Sequence, residues 1–237
     1  MAFPSHAVII TAAGLSERFQ SSHDGPKGKK EYILLDDRTV LYHAVLPFIS
    51  TPSLKAIIVT YPDMFKDECE SALDNLLYTS LIPIHLVVGG ETRQKSVLNA
   101  LSFIEEEGID ISFVAIHDGA RPFVNESLII ETLATASIFG GAVPAIPVHD
   151  ALKHISKEGI IDGHIDRSSL VQIQTPQIFK FPEILHAHLQ IAGNTKLYVD
   201  DSEIYNDAGF EVAISKGSIH NNKITTYEDI MNYTRDV

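Results

Sequence analysis

The chain has 237 residues, 45% of them apolar and 21% charged, with 31 acidic against 18 basic side chains for a formal net charge of −13. That length and composition fit a globular chain with a sizeable core and exclude a disordered one. The pI near 5.2 excludes nucleic acid or an anionic membrane held by charge alone as a partner. The one cysteine, Cys69, rules out an internal disulfide and a Cys-rich zinc site. No apolar run is long enough to span a bilayer, and residues 1–5 lack the marks of a signal peptide, so the expected location is the cytoplasm.

Ala7-Val8-Ile9-Ile10-Thr11 is a short β-rich run that ends in Ala12-Ala13-Gly14, the form of a buried first strand entering a loop. Further strands are predicted at 55–60, 84–88, 111–116 and 142–146, interleaved with helices at about 40–49, 64–78, 92–106 and 127–139. That alternation indicates βαβ units and a parallel sheet covered on both faces. From 149 to 170 the helical period is lost, and the segment reads as a β-hairpin arm or a loop leaving the sheet. Beyond it, 182–191, 201–208 and 227–233 suit helices, with short strands near 211–214 and 223–225. The expected architecture is α/β, one domain over 1–237 with an arm at about 148–170.

Ligands of an open parallel sheet bind beyond the carboxyl ends of its strands, which brings into line the four loops after Thr11, Val88, Ile116 and Ile146. The first, Ala12-Ala13-Gly14-Leu15-Ser16-Glu17-Arg18, is small enough for a phosphate or base to approach its backbone. It is not a dinucleotide fingerprint, because G-x-G-x-x-G is absent, which disfavours a dehydrogenase. Lys27, Lys29 and Lys30 follow in a Gly/Pro-bearing loop; such a run is a solvated surface loop or, with Arg18, a cationic lid for phosphates. Gly89-Gly90-Glu91-Thr92-Arg93 would let a planar base lie against the backbone, with Thr92 capping the next helix. In His117-Asp118-Gly119-Ala120-Arg121-Pro122, Asp118 is a ligand for a hard cation such as Mg²⁺ or else a turn cap. His186 and His188 are two apart and make a poor chelate, and Cys69 has no nearby base.

With these loops in order, the sequence resembles the 2-C-methyl-D-erythritol 4-phosphate cytidylyltransferases of the non-mevalonate isoprenoid pathway over nearly its whole length. The motifs that carry the resemblance are Ala12-Ala13-Gly14…Arg18, Lys30-Glu31-Tyr32, Gly89-Gly90…Arg93…Ser96-Val97 and His117 to Pro122. They continue through Asp166-Arg167…Gln174-Thr175-Pro176-Gln177…Phe179, Asp200-Asp201 and Asn221-Asn222-Lys223-Ile224-Thr225. The resemblance implies a Rossmann-like, mostly parallel sheet with helices on both faces and a protruding β-arm, in a single nucleotidyltransferase domain. It implies an enzyme that joins the acceptor phosphate to the α-phosphorus of CTP and releases pyrophosphate, giving 4-diphosphocytidyl-2-C-methyl-D-erythritol. The nucleophile is the substrate's own phosphate, so catalysis should rest on positioning and charge stabilisation.

By the same resemblance, Arg18 and Lys30 stabilise the pentavalent α-phosphate and the leaving group, while Arg167 and Lys223 hold the acceptor phosphate in line. Ala12, Ala13, Gly14, Gly90 and Ser96 read the cytosine, and Asp118 sits near the ribose and Mg²⁺. Lys27, Gly119, Thr175 and Asp200 complete the substrate contacts. The arm crosses to the partner subunit of a homodimer, so Arg167 serves the neighbour's site. Some positions depart from the family pattern: Ser16 replaces a glycine, Gly119 an alanine, and Ala151 and Val199 two threonines on the acceptor side. Pro26-Lys27 is set apart from Lys30-Glu31-Tyr32, so Lys27, Lys29 and Lys30 compete for the catalytic role, with Lys30 favoured because the chain runs from it without a gap. Two alternatives stand beside the main reading, a CDP-ribitol-forming ribitol-5-phosphate cytidylyltransferase and a non-catalytic nucleotide-binding module.

Overall fold

The computed structural model describes residues 3–14, 16, 19, 28–193 and 195–235. Strand β1 (His6–Thr11) is followed by a two-stranded ribbon, β2 (Leu34–Leu35) and β3 (Arg38–Thr39), and by α1 (Val40–Ile49), which Thr39 caps by accepting from Tyr42 N. Next come β4 (Leu54–Tyr61), the short helices α2 (Lys66–Leu73) and α3 (Leu76–Thr79), β5 (Ile84–Val88), α4 (Arg93–Glu106), β6 (Phe113–Asp118), α5 (Glu126–Phe139) and β7 (Gly141–Pro147). Thr92 caps α4 as expected, and Asn125 caps α5. The helix anticipated over 64–78 is interrupted at Asp74, whose φ of +49° is left-handed. Its carboxylate pairs with Arg38, and Thr39 Oγ1 donates to Ala72 O at 2.6 Å, so the β3 ribbon ties off the end of α2.

The anticipated arm is an antiparallel hairpin, β8 (Lys153–Ile155) with β9 (Ile161–His164), both largely exposed. The chain returns through β10 (Val171–Ile173) and β11 (Gln177–Lys180), two strands that the sequence did not signal because each is short and Pro176 lies between them. Then follow α6 (Phe181–Ile191), α7 (Asp201–Asp207), β12 (Ala213–Lys216) and α8 (Tyr227–Arg235). The strand expected at 223–225 is irregular chain. Its backbone is satisfied by the loop after β6, with Ile224 N donating to Ala120 O at 2.8 Å.

The main sheet runs β10-β7-β11-β6-β1-β4-β5, with β12 against the other side of β7. β1, β4, β5 and β6 are parallel to one another; β11 enters antiparallel between β6 and β7. Alternation along each central strand feeds two cores. Val8, Ile10, Ile57, Val59, Phe113 and Ala115 face one side, where α1, α2 and α5 bring Leu41, Phe48, Leu73 and Leu133. Ala7, Ile9, Ala56, Ile58, Val114 and Ile116 face the other, where α4, α6 and α7 bring Leu101, Ile184 and Tyr205. Near-continuous apolar strands are what burial on both faces requires. No described helix is long and apolar enough to cross a membrane.

His6, fully buried in β1, pairs through Nε2 with Thr51 Oγ1 at 3.1 Å, and burial pushes its pKa below the usual imidazole value. The unfolded chain therefore binds the proton more readily, so stability rises with pH and is lost as pH falls below about 6.5. The urea midpoint is expected to be lower at pH 5.5 than at pH 7.5, and His6→Gln should narrow that difference. An unchanged difference in the variant would remove His6 from the account.

Candidate active site

The carboxyl ends of β1, β5 and β6 open on one cleft of about 550 Å³. Ala13, Gly14 and Ser16 line it from the loop after β1, Gly89 to Arg93 and Ser96 from the loop after β5, and Asp118 and Ala120 from the end of β6. Lys30 and Glu31 close one part, and Lys223 and Thr225 another. Residues distant in sequence meet here because the parallel sheet points every strand-end loop the same way.

Two of these loops are built back to back. A Cβ on Gly89 would stand 2.2 Å from Ala13 Cβ and 2.9 Å from Ser96 Oγ, so only glycine allows this approach. Gly90 N donates to Ser96 Oγ at 3.0 Å, and that hydroxyl donates to Thr92 O at 2.9 Å. Ser16 adopts φ +56°, the left-handed conformation that accounts for the family's glycine at this position; here its hydroxyl donates to Glu31 Oε2 at 3.1 Å. Lys29 is 3% exposed, donates to Gly14 O and lies 3.5 Å from Glu31. Burial lowers its pKa against the pull of Glu31. It therefore pins the first loop from behind. Lys30 lines the cleft, its Nζ donating to Ile224 O at 2.8 Å, which ties the loop carrying Lys223 to the lysine segment.

Asp118 is the electrostatic centre. Lys223 Nζ lies 2.8 Å from its Oδ2, Arg121 Nε 3.5 Å from the same oxygen, and Arg93 Nε 3.7 Å from Oδ1. Burial disfavours the charged carboxylate, but Lys223, Arg93 and Arg121 outweigh it and hold the carboxyl well below the usual range. It is ionised at any physiological pH. Behind it, Asp118 N donates to Thr175 Oγ1 at 3.1 Å, and that hydroxyl bonds His117 Nδ1 at 2.9 Å. His117 Nε2 lies 3.1 Å from Arg121 O, which only accepts, so Nε2 carries the proton and Nδ1 accepts from Thr175. Burial drives the His117 pKa down to about 4. It is a neutral packing residue that orients Asp118 through Thr175.

Of the residues singled out from the sequence, the cleft gathers Ala13, Gly14, Lys30, Gly90, Ser96, Asp118 and Lys223. Ala12 and Gly119 lie just beneath it. Ala12 is fully buried, and a Cβ on Gly119 would come within 3.2 Å of Ala12 Cβ, so the alanine-to-glycine change relieves crowding. Thr175 supports Asp118 from behind rather than lining the cleft, and Asp200 caps α7 while its Oδ2 accepts from Gln177 Nε2 at 3.0 Å. Arg167 is exposed on the return of the arm and does not line the cleft of its own chain. Arg18 and Lys27 lie outside the described residues. Val199 is exposed, with its N–H on Glu203 Oε2 at 2.8 Å.

Sequence reasoning gave no role to Arg93 or Arg121, though both stood inside quoted motifs, nor to the buried pair His188–Asp201 at 3.1 Å. Arg93 and Arg121 could have been flagged as cations next to strand-end loops; the His188–Asp201 pair joins two helices and has no spacing signal. For a metal, Asp118 offers one ionised carboxylate at the cleft, and among the described residues no three or more His, Cys, Asp or Glu converge to form a cage. Such a donor set fits Mg²⁺ that arrives with phosphate oxygens and waters as its other ligands, and it does not fit a permanently held ion.

A family profile described as 2-C-methyl-D-erythritol 4-phosphate cytidylyltransferase matches residues 6–234. An enzyme of that description from Syntrophotalea carbinolica is 38% identical over 225 residues, 94% of this chain and 92% of its own. One from Caldanaerobacter subterraneus subsp. tengcongensis is 34% identical over 226 residues, 95% of both. Among solved structures, 4-diphosphocytidyl-2C-methyl-D-erythritol synthase from Anaerococcus prevotii superposes with a TM-score of 0.79 at 25% identity, covering 98% of this chain and 99% of that one.

Proposed function

The chain belongs to the 2-C-methyl-D-erythritol 4-phosphate cytidylyltransferase family, and from that premise we propose how its cleft performs the transfer. A phosphate oxygen of 2-C-methyl-D-erythritol 4-phosphate attacks the α-phosphorus of CTP; the bond from that phosphorus to the bridging oxygen breaks, and pyrophosphate leaves with the electron pair. The observation that carries this reading is the meeting of Asp118, Lys223 and Lys30 with the paired loops of Ala13 and Gly89 in one cleft.

Backbone groups of Ala12 to Gly14 and of Gly90, with Ser96, read the cytosine; a base that mismatched them would leave buried polar groups unpaired. Lys30, joined by Arg18 and Lys27 from the same segment, stabilises the charge that develops on the α-phosphate and the leaving group. Lys223 holds the acceptor phosphate, a point contact that suits an ammonium, and Arg167 clamps it in bidentate fashion. Gly119 and Thr175 shape the substrate pocket from beneath, and Asp200 is assigned a substrate contact. Bound with the nucleotide, Mg²⁺ supplies neutralisation of the triphosphate, and Asp118 is the residue that would hold it.

Two features support a homodimer. The arm exposes Ile155, Ile160 and Ile161, apolar side chains with no cover in one chain. Arg167 stands apart from its own cleft, and across a dimer it would serve the neighbour's. The enzyme would work in the cytoplasm, where both substrates are free small molecules.

Pyrophosphate release measured with CTP and Mg²⁺ tests the reading. Robust release is expected with 2-C-methyl-D-erythritol 4-phosphate and little with ribitol 5-phosphate. Turnover of ribitol 5-phosphate alone would sink it in favour of CDP-ribitol synthesis, and CTP binding without turnover of either would leave a nucleotide-binding module.

A further inference from the structure

Arg93 stands between two carboxylates, and it is shared unequally. Its Nη1 lies 2.7 Å from Asp201 Oδ2, while its Nε is 3.7 Å from Asp118 Oδ1. Asp201 is fully buried at the first position of α7, and its Oδ1 lies 3.1 Å from Nε2 of His188, itself buried on α6. Charge and proximity hold Arg93 against Asp201 Oδ2 at 2.7 Å. Burying a carboxylate is costly, and apolar packing between α6 and α7 would serve stability as well. The ion pair therefore calls for a use.

Asp118 supplies one. It already carries Lys223 at 2.8 Å and Arg121 at 3.5 Å. If Arg93 settled onto it as closely as Lys223 does, a third cation would oppose any divalent ion arriving with a nucleotide. We propose that Asp201, fixed by His188, is a positioning residue: the counter-charge that holds Arg93 off Asp118 and keeps that carboxylate available to the cation of the incoming nucleotide. This rests on the reading of Asp118 as the Mg²⁺-facing carboxylate.

The test is calorimetric titration of the full chain with CTP at a series of Mg²⁺ concentrations, with no acceptor present. Asp201→Asn keeps the shape and removes the charge. It should raise the Mg²⁺ concentration for half-maximal tightening of CTP by about tenfold, the effect of one guanidinium moving in by about an ångström at an effective dielectric near 20. Removing the released charge as well, in R93Q/D201N, should return the requirement to the wild-type value or below. A merely structural role for Asp201 would give no such rescue. A wild-type Mg²⁺ dependence in D201N, or a double variant no better than D201N, overturns the inference. If D201N fails to fold, the comparison passes to position 188. There H188Q, whose amide still donates to Asp201, should match wild type and H188L should need more Mg²⁺; equal behaviour of the two again overturns it. CTP affinity that is flat in Mg²⁺ for the wild-type protein would instead remove the reading of Asp118 beneath the inference.

Discussion

Lys223→Ala is expected to lower turnover by about two to three orders of magnitude, the usual consequence of deleting one preorganised charged donor at a phosphoryl centre, while CTP still binds. The separation follows from geometry. Lys223 reaches Asp118 at 2.8 Å from the loop after β12, a different segment from the Gly14 and Gly90 loops to which the proposal gives the base. Its loss removes a cation that competes for Asp118, so the nucleotide side is spared, and the acceptor side loses its point contact. Steady-state rates with both substrates varied, together with CTP titration of the variant, make the measurement. If CTP affinity falls in step with turnover, Lys223 belongs to the nucleotide site and the assigned role is wrong. Lys223→Arg should recover part of the rate, since it restores charge but not the compact ammonium.

Gly89→Ala is the second large effect, and here the loss should fall on the nucleotide. The new methyl would lie 2.2 Å from Ala13 Cβ, an approach that real side chains do not make, so the first loop must move away from the second. A displacement of about an ångström at a positioned substrate costs on the order of a hundredfold in kcat/KM, whereas the overpacking itself costs stability by about 1–3 kcal/mol. The thermal midpoint should fall modestly beside the loss of CTP affinity. A13G/G89A gives back the space of one methyl and should regain much of the binding. Failure of that rescue, with the fold intact, would mean that the loops are not coupled through this contact.

The net charge of −13 describes the body of the molecule and not its cleft. Lys30, Arg93 and Lys223 line the cleft, with Arg121 paired to Asp118 beside them. Glu31, Asp63, Glu91 and Asp118 line it too, so on the proposed reading two anionic substrates are received by individually placed cations and the nucleotide's Mg²⁺, while the acidic exterior repels polyanions at large.

Much of the fold was legible because burial on both faces writes itself into a strand. The central strands are near-continuous apolar runs, and their alternation with helices allows little but a covered parallel sheet. The strand-end loops were legible for a related reason, since small residues and glycines mark where backbone must approach backbone or ligand. Gly89 against Ala13 is such a mark. The elements that escaped, β10 and β11, are short and take their places in the sheet through β7 and β6, partners about 25 to 65 residues away in the chain.

What the sequence determined by itself was the set of loops and the class of chemistry, because both reside in local residue types. What only the tertiary structure decided was which charged groups face one another. Lys29 and Lys30 are neighbours in the chain, yet one is spent on Gly14 and Glu31 while the other lines the cleft. Asp201 and Arg93 are separated by more than a hundred residues and share an ion pair at 2.7 Å. Charge pairing depends on distance in space, and no pattern along the chain encodes that until the sheet and its covering helices have set it.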